Sequence, residues 1–319
     1  MKIGLIDVDG HNYPNLALMK LSAWHKAQGD SVEWHDPFTH YDRVYLAKVF
    51  SFTPDYAYYI DADQIIRGGT GYAIHGAGGE HYCQSEDVPL PYEVEHIMPD
   101  YSLYDITDTA YGFLTRGCPR GCAFCIVAGK EGRRSRKVAD LTEFWSGQSN
   151  IVLNDPNILA CNEWSDLLSQ LAESCARVDF NQGLDARLLT SAKCEALNAV
   201  RTDGLHFAWD RYDDKALVLP KLEMFAEQCP RKMGGHRTIV YVLVNHTSTL
   251  AQDLERIYTL REMGFWAYVM VYDKPHAAPV YHHMQRWCNN RFVFARCPRF
   301  EDYGRTVLPD ESQQLTFDF

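Results

Sequence analysis

The chain has 319 residues, enough for about two domains that each bury a core. Its 46% hydrophobic and 23% charged content is that of an ordinary globular protein, and the formal charge of −11 excludes broad electrostatic adhesion to nucleic acid or anionic membrane. The opening "MKIGLIDVDG" meets Asp7 before an apolar run reaches signal-peptide length, and "IVYVLV" and "WAYVMV" are strand-sized rather than membrane-sized, so the expected location is the cytoplasm.

From Met1 to about Tyr104, short apolar strands alternate with helical stretches. "KIGLIDV" reads as a buried strand, and "NLALMKLSAWHKAQG" has helical spacing and ends on Gly29. "SVEW", "RVYLAKVF" and "DQIIRGG" follow as strands. This alternation predicts a Rossmann-like parallel α/β domain over 1–104, with ligands bound at the carboxyl ends of its strands. "GGTGY" is one such strand-end loop, readable either as a ligand approach or as a plain tight turn. The proline-bearing stretch "EDVPLPYEVEHIMPDYSLYD" looks like an interdomain linker.

Residues 105–300 contain six strand candidates, "AYGFLT", "NIVLN", "RVDFN", "GLHFA", "IVYVLVN" and "WAYVMVY", separated by helical or loop segments. Six consecutive units predict a partial (β/α)6 barrel, and residues 301–319 a C-terminal tail. The strands finish on polar pairs: Thr115–Arg116, Asn154–Asp155, Asn181–Gln182, Trp209–Asp210, Asn245–His246 and Tyr272–Asp273. Six such endings in succession predict a polar pocket along the carboxyl-terminal rim.

Directly after the first of these strands, "RGCPRGCAFCIV" places Cys118, Cys122 and Cys125 within eight positions. The other seven of the ten cysteines are scattered and read as small buried hydrophobes, with Cys288 and Cys297 the one pair to watch for a second metal. Structural zinc asks for four closed ligands, and no second pair follows here. A bacterial ferredoxin run has a different order and a fourth cysteine. Three thiolates on one tight loop suit a [4Fe–4S] cluster with one iron left open, with Gly117 and Gly121 letting the loop wrap closely and Phe124 helping to exclude water.

The Cys-x3-Cys-x2-Cys spacing, an aromatic just before the last cysteine and the place at the end of the first strand of a partial barrel together resemble the radical S-adenosylmethionine (SAM) superfamily. The resemblance covers about residues 108–275. It implies an enzyme whose cluster binds SAM at the open iron and cleaves it reductively to a 5′-deoxyadenosyl radical, with the substrate unspecified. It also implies an electron donor of flavodoxin or ferredoxin type. The family's Gly-Gly-Glu after the second strand is replaced by "LNDPN", so Asn154 and Asp155 are the positional candidates for the methionine ammonium. "FNQGLDAR" offers Asn181, Gln182, Asp185 and Arg187 for the SAM carboxylate or ribose, against a surface ion pair for the last two. Lys130, Arg133, Arg134, Arg136 and Lys137 form a basic run beside the cysteines, either solvated or holding an anionic substrate group.

Methylthiotransferases share the following stretch but carry three cysteines in their N-terminal domain, where this chain has only Cys83. The N-terminal half instead resembles a cobalamin-binding domain: "DGHNYP" partly matches Asp-x-His-x-x-Gly, with His11 in the cobalt-ligand position and Gly68–Gly69 in the place of a later glycine pair. Pro14 replaces the motif glycine and stiffens the loop, so the expected role is a relic or substrate-covering module rather than a cobalamin carrier. Two alternatives stay open: a cobalamin-dependent radical SAM methyltransferase, and a non-catalytic iron–sulfur binding or regulatory protein. The terminal "QQLTFDF" has some likeness to peptides that dock on bacterial sliding clamps, against a frayed tail.

Overall fold

The computed structural model describes residues 1–10, 13–75, 81–234 and 237–307. His11, the positional cobalt ligand, and the terminal QQLTFDF lie outside the described residues. The chain divides into two compact units, the first comprising Met1–Gln182 with Ala199–Asp203 and the second Gly183–Asn198 with Gly204–Phe319.

The first unit begins with β1 (Lys2–Asp7), α1 (Leu16–Ala27), β2 (Ser31–Trp34), β3 (Tyr41–Ala47) and β4 (Ala62–Gly68). These strands form one parallel sheet in the order β2-β1-β3-β4. Asn15 caps α1 by accepting from the Leu18 amide at 3.2 Å, the usual start for a helix after a turn. Ile3, Leu5, Leu18, Leu21 and Tyr45 form its core on one side; Ile6, Tyr41, Val44 and Leu46 form it on the other. A parallel sheet of this kind is usually covered by helices on both faces, yet among the described residues the α-helices around it are α1 and a single turn, α2 (Tyr92–Glu95); the β3–β4 connection is a loop. That loop, residues 48–61, holds Pro54 and five aromatic residues, and offers no 3.6-residue apolar stripe.

The segment expected to be a linker is a packed strap. Val94 is buried in the sheet's core, and the Glu95 carboxylate pairs with Lys20 of α1 at 3.3 Å. Downstream come β5 (Thr109–Gly112), β6 (Asn150–Leu153), α3 (Trp164–Glu173) and β7 (Arg177–Phe180). The three strands make a parallel sheet in the order β7-β6-β5. "AYGFLT" was read as one strand, but it breaks after Gly112, and Thr115–Arg116 instead pairs antiparallel with Arg136–Lys137. The cause is Asp155: its carboxylate accepts the amides of Leu114 at 2.9 Å and Thr115 at 2.6 Å, replacing the ladder partners.

The second unit contains α4 (Ser191–Ala199) up to Asn198, β8 (Leu205–Ala208), α5 (Lys215–Gln228), β9 (Thr238–Val244), α6 (Leu250–Glu262), β10 (Trp266–Val271), α7 (Pro279–Asn289), α8 (Arg291–Arg296) and α9 (Phe300–Val307). Strands β8, β9 and β10 are parallel neighbours in that order. Phe207, Val240, Val242, Ala267, Val269, Ile257 and Leu260 are buried at its core. All six strands anticipated over 105–300 are therefore formed, as two three-stranded parallel sheets, one in each unit. No helix among the described residues is long and apolar enough to cross a membrane.

Candidate functional site

The cysteine loop hangs between the Thr115–Arg116 ribbon and the turn Val127–Lys130. Arg116, at its entrance, lies over the Phe113 ring at 3.9 Å and is gripped by Glu95 and Glu131, each at 3.0 Å. Glu131 also accepts the Gly117 amide at 3.1 Å, and the Cys118 amide donates to Gly132 at 3.1 Å. Burial pushes the Glu95 carboxyl up, but Lys20 and Arg116 outweigh it and hold the group below its ordinary value. Gly117 has φ +87°, and a side chain there would strike the Arg134 carbonyl, so only glycine lets the chain enter the loop this way.

Cys118 and Cys122 are half-buried and Cys125 is exposed. Phe124 between them is half-buried. Of the other seven, four are buried as expected: burial raises the thiols of Cys161, Cys194 and Cys288, and pushes Cys229 up to about 11, which makes them poor thiolates; Cys175 is exposed and Cys83 and Cys297 are half-buried, so those three are not the buried hydrophobes expected. Cys288 donates to the Ala267 carbonyl and Cys297 to the Arg299 carbonyl, so this pair is turned to separate partners. Among the described residues no three His, Cys, Asp or Glu side chains converge tightly enough to hold a metal ion. A zinc ion needs its thiolates within about 2.3 Å of one point, whereas a cubane spreads them over separate irons. The donor set, three accessible thiols on one glycine-framed loop, fits the cluster better than the single ion.

Asn157, which the sequence reading passed over, donates from Nδ2 to Cys118 Sγ at 3.5 Å and is almost fully buried. A donor to a ligand sulfur is the kind of neighbour that tunes a cluster's potential. The signal was present in "LNDPN", one residue beyond the proline. Asp155 occupies the expected strand end, but it is 4% exposed and both oxygens are used: Oδ1 by Leu114, Oδ2 by the amide and hydroxyl of Thr115. Burial, partly offset by these hydrogen bonds, pushes its carboxyl up to about 6. It acts as the clamp that sets the base of the cysteine loop.

Asn154 and Asn181 come together at the ends of β6 and β7, with Asn181 Nδ2 3.1 Å from Asn154 Oδ1. Tyr13 joins them from the loop after β1, its hydroxyl 3.1 Å from the same oxygen. Gln182, the last residue of this stretch in the first unit, is exposed. In the second unit Asp185 accepts from Arg187 Nε at 2.7 Å and Arg187 reaches Asp214 at 2.9 Å, a partly buried ion triad rather than a surface pair. Of the basic run, Lys130 bonds to Thr70, Arg136 to the Glu131 carbonyl at 2.7 Å, and Lys137 to Asp140 at 2.6 Å; Arg133 and Arg134 are exposed.

In the N-terminal sheet, strand order reverses between β1 and β3, the place where open α/β sheets bind ligands. Asp9 there accepts from the Val49 amide at 2.6 Å and the Thr53 hydroxyl at 2.7 Å. Beside it Phe50 and Phe52 stack at 5.2 Å, with Phe52 81% exposed. Gly69, at φ +98°, packs against the Lys48 backbone, so the glycine pair serves a close approach of chain to chain.

A scan against protein-family models finds no match, and neither does a search of curated proteins. Among solved structures, the radical SAM methyltransferase TsrM from Kitasatospora setae, with cobalamin and a [4Fe-4S] cluster bound, matches with a TM-score of 0.58. The match covers 85% of this chain and 74% of that one at 11% identity, a likeness of fold. The chain thus has an α/β fold with parallel sheets like that of a radical SAM methyltransferase. The expectation that the N-terminal half is not a cobalamin carrier finds no support in this comparison.

Proposed function

We propose that this chain is a radical SAM enzyme. Cys118, Cys122 and Cys125 would hold a [4Fe–4S] cluster in a partial-barrel domain over 105–300, which residues 1–104 precede in the chain. The observation that carries the reading is the accessible three-thiol loop, rigidly framed by Arg116, Glu131 and Asp155, in a fold similar to that of TsrM. When bound, cluster and SAM would supply one-electron cleavage of the sulfonium to a 5′-deoxyadenosyl radical. The chain's own part is to seat the cluster on the thiolates, lend the Asn157 N–H to the Cys118 sulfur and grip SAM at the ends of β6 and β7. Asn154 keeps its role in SAM binding, with Gln182 and Asp185 as further candidates and Phe124 as cover; Asp155 supports the loop from behind. Anaerobically reconstituted protein given dithionite and SAM should release 5′-deoxyadenosine. A cluster-loaded protein that releases none would favour the binding or regulatory alternative.

A second reading, a cobalamin-dependent methyltransferase, is favoured by the cobalamin bound to TsrM. The exposed Phe50–Phe52 stack beside the β1/β3 crevice offers an apolar face suited to a large flat ligand. Protein mixed with hydroxocobalamin and desalted should then keep a stoichiometric corrin band in its visible spectrum; loss of the band on desalting would remove this reading.

A further inference from the structure

Tyr13, in the loop after β1, reaches the ends of β6 and β7. Its hydroxyl donates to Asn154 Oδ1 at 3.1 Å, and Asn181 Nδ2 donates to the same oxygen at 3.1 Å while lying 3.3 Å from the Tyr13 hydroxyl. The Tyr13 ring meets Tyr111 of β5 edge-on, centroids 5.5 Å apart. An amide oxygen has two lone pairs, and both are taken here. Turning over the Asn154 amide alone would set its NH2 against the NH2 of Asn181, two donors face to face; in the arrangement observed Asn181 donates and Asn154 accepts. Tyr13 is 41% exposed, yet partial burial, reinforced by Tyr111 and Asp179, pushes its phenol up to about 12, so it stays a neutral donor.

We propose that Tyr13, supplied by the N-terminal half, is a positioning residue for SAM: with Asn181 it holds the Asn154 amide oxygen inward and leaves the NH2 as the donor, so this position takes an acceptor oxygen of the SAM carboxylate and not its ammonium. The polarity is opposite to that suggested by matching "LNDPN" to Gly-Gly-Glu, where a carboxylate accepts from the ammonium. It also makes SAM binding depend on a residue two positions beyond His11, so that the N-terminal loop and the SAM site share one hydrogen-bonded unit. The assignment rests on the radical SAM reading.

The test is equilibrium binding of SAM and of decarboxylated SAM, which keeps the sulfonium, adenosine and ammonium, to the reconstituted full-length protein. Asn154→Ala should weaken SAM about tenfold, the size of one hydrogen bond to a charged group, and leave decarboxylated SAM within about twofold. Tyr13→Phe, which keeps the ring and its contact with Tyr111, should weaken SAM about threefold, again with decarboxylated SAM unchanged. A purely structural role would weaken both ligands alike, and that result overturns the proposal. So does SAM binding indifferent to both substitutions. If the cluster-loaded wild-type protein fails to bind SAM at all, the radical SAM reading falls, and this assignment with it.

Discussion

At the ends of β5, β6 and β7 the chain places thiols, amides and phenols, several of them half-exposed: Cys118, Cys122, Asn154, Asn181 and Tyr13. At the ends of β8 and β9 it buries charge. Arg256, fully buried, donates to the carbonyls of Trp209 at 2.6 Å and Leu243 at 2.8 Å, to Ser248 at 3.1 Å, and to the buried Asp253 at 2.5 Å. Next to it Asp210 Oδ1 is sealed from solvent and has no hydrogen-bond partner among the described residues. Neutral, half-exposed groups exchange one partner for another at small desolvation cost, whereas a buried guanidinium with four partners is committed to holding strand ends in place. Both rims are polar in the sequence; burial separates the groups fitted to bind from those fitted to brace, the buried Asp155 of the first rim among the latter.

The largest expected effect separates the cysteines. Cys118→Ala, Cys122→Ala and Cys125→Ala should each lose the cluster, while Cys161→Ala and Cys194→Ala, whose thiols are buried and raised in pKa, should keep it. Iron and sulfide analysis after anaerobic reconstitution reads the difference, and a normal cluster in any of the first three variants would break the contrast.

The bracing role of the second rim is tested by Arg256→Leu. Removing the cation leaves Asp253 buried and uncompensated, so urea unfolding should show a loss of about 3–5 kcal/mol. The same change should leave the iron content of the surviving folded protein unaltered.

A smaller effect comes from Asp210, whose carboxyl burial pushes up to about 6 against the opposing pull of Arg256 and Arg187. Because the folded value is raised, this group's contribution is fully present below about pH 4 and is lost as pH rises to about 6; two units correspond to at most about 3 kcal/mol. Asp210→Asn should flatten that part of the stability profile. An unchanged slope between those pH values would show that the carboxyl is not held in a sealed site.

Much of the fold was legible because it is written in local periodicity. The buried runs Lys2–Asp7, Asn150–Leu153 and Thr238–Val244 form where apolar residues predict strands, and Thr249, which accepts from the Gln252 amide, starts α6 as a capping residue should. What was not legible depends on partners distant in sequence. The break in "AYGFLT" is caused by a carboxylate about 40 positions on, and the apparent linker becomes a strap because Val94 and Glu95 find partners in β1 and α1. At the candidate site, cysteine spacing identified the loop. The burial of Asp155, the Asn157 contact and the Tyr13 hydrogen bonds arise from tertiary approach, which spacing does not encode.

The central claim is that three thiolates hold a cluster with one iron open to SAM. Electron paramagnetic resonance of the dithionite-reduced, reconstituted protein, recorded with and without SAM, tests it most directly. The account predicts a reduced [4Fe–4S] signal whose g-values shift when SAM is added, and no such signal from Cys125→Ala, which holds no cluster. A signal that ignores saturating SAM, or stoichiometric zinc in place of iron, would contradict it.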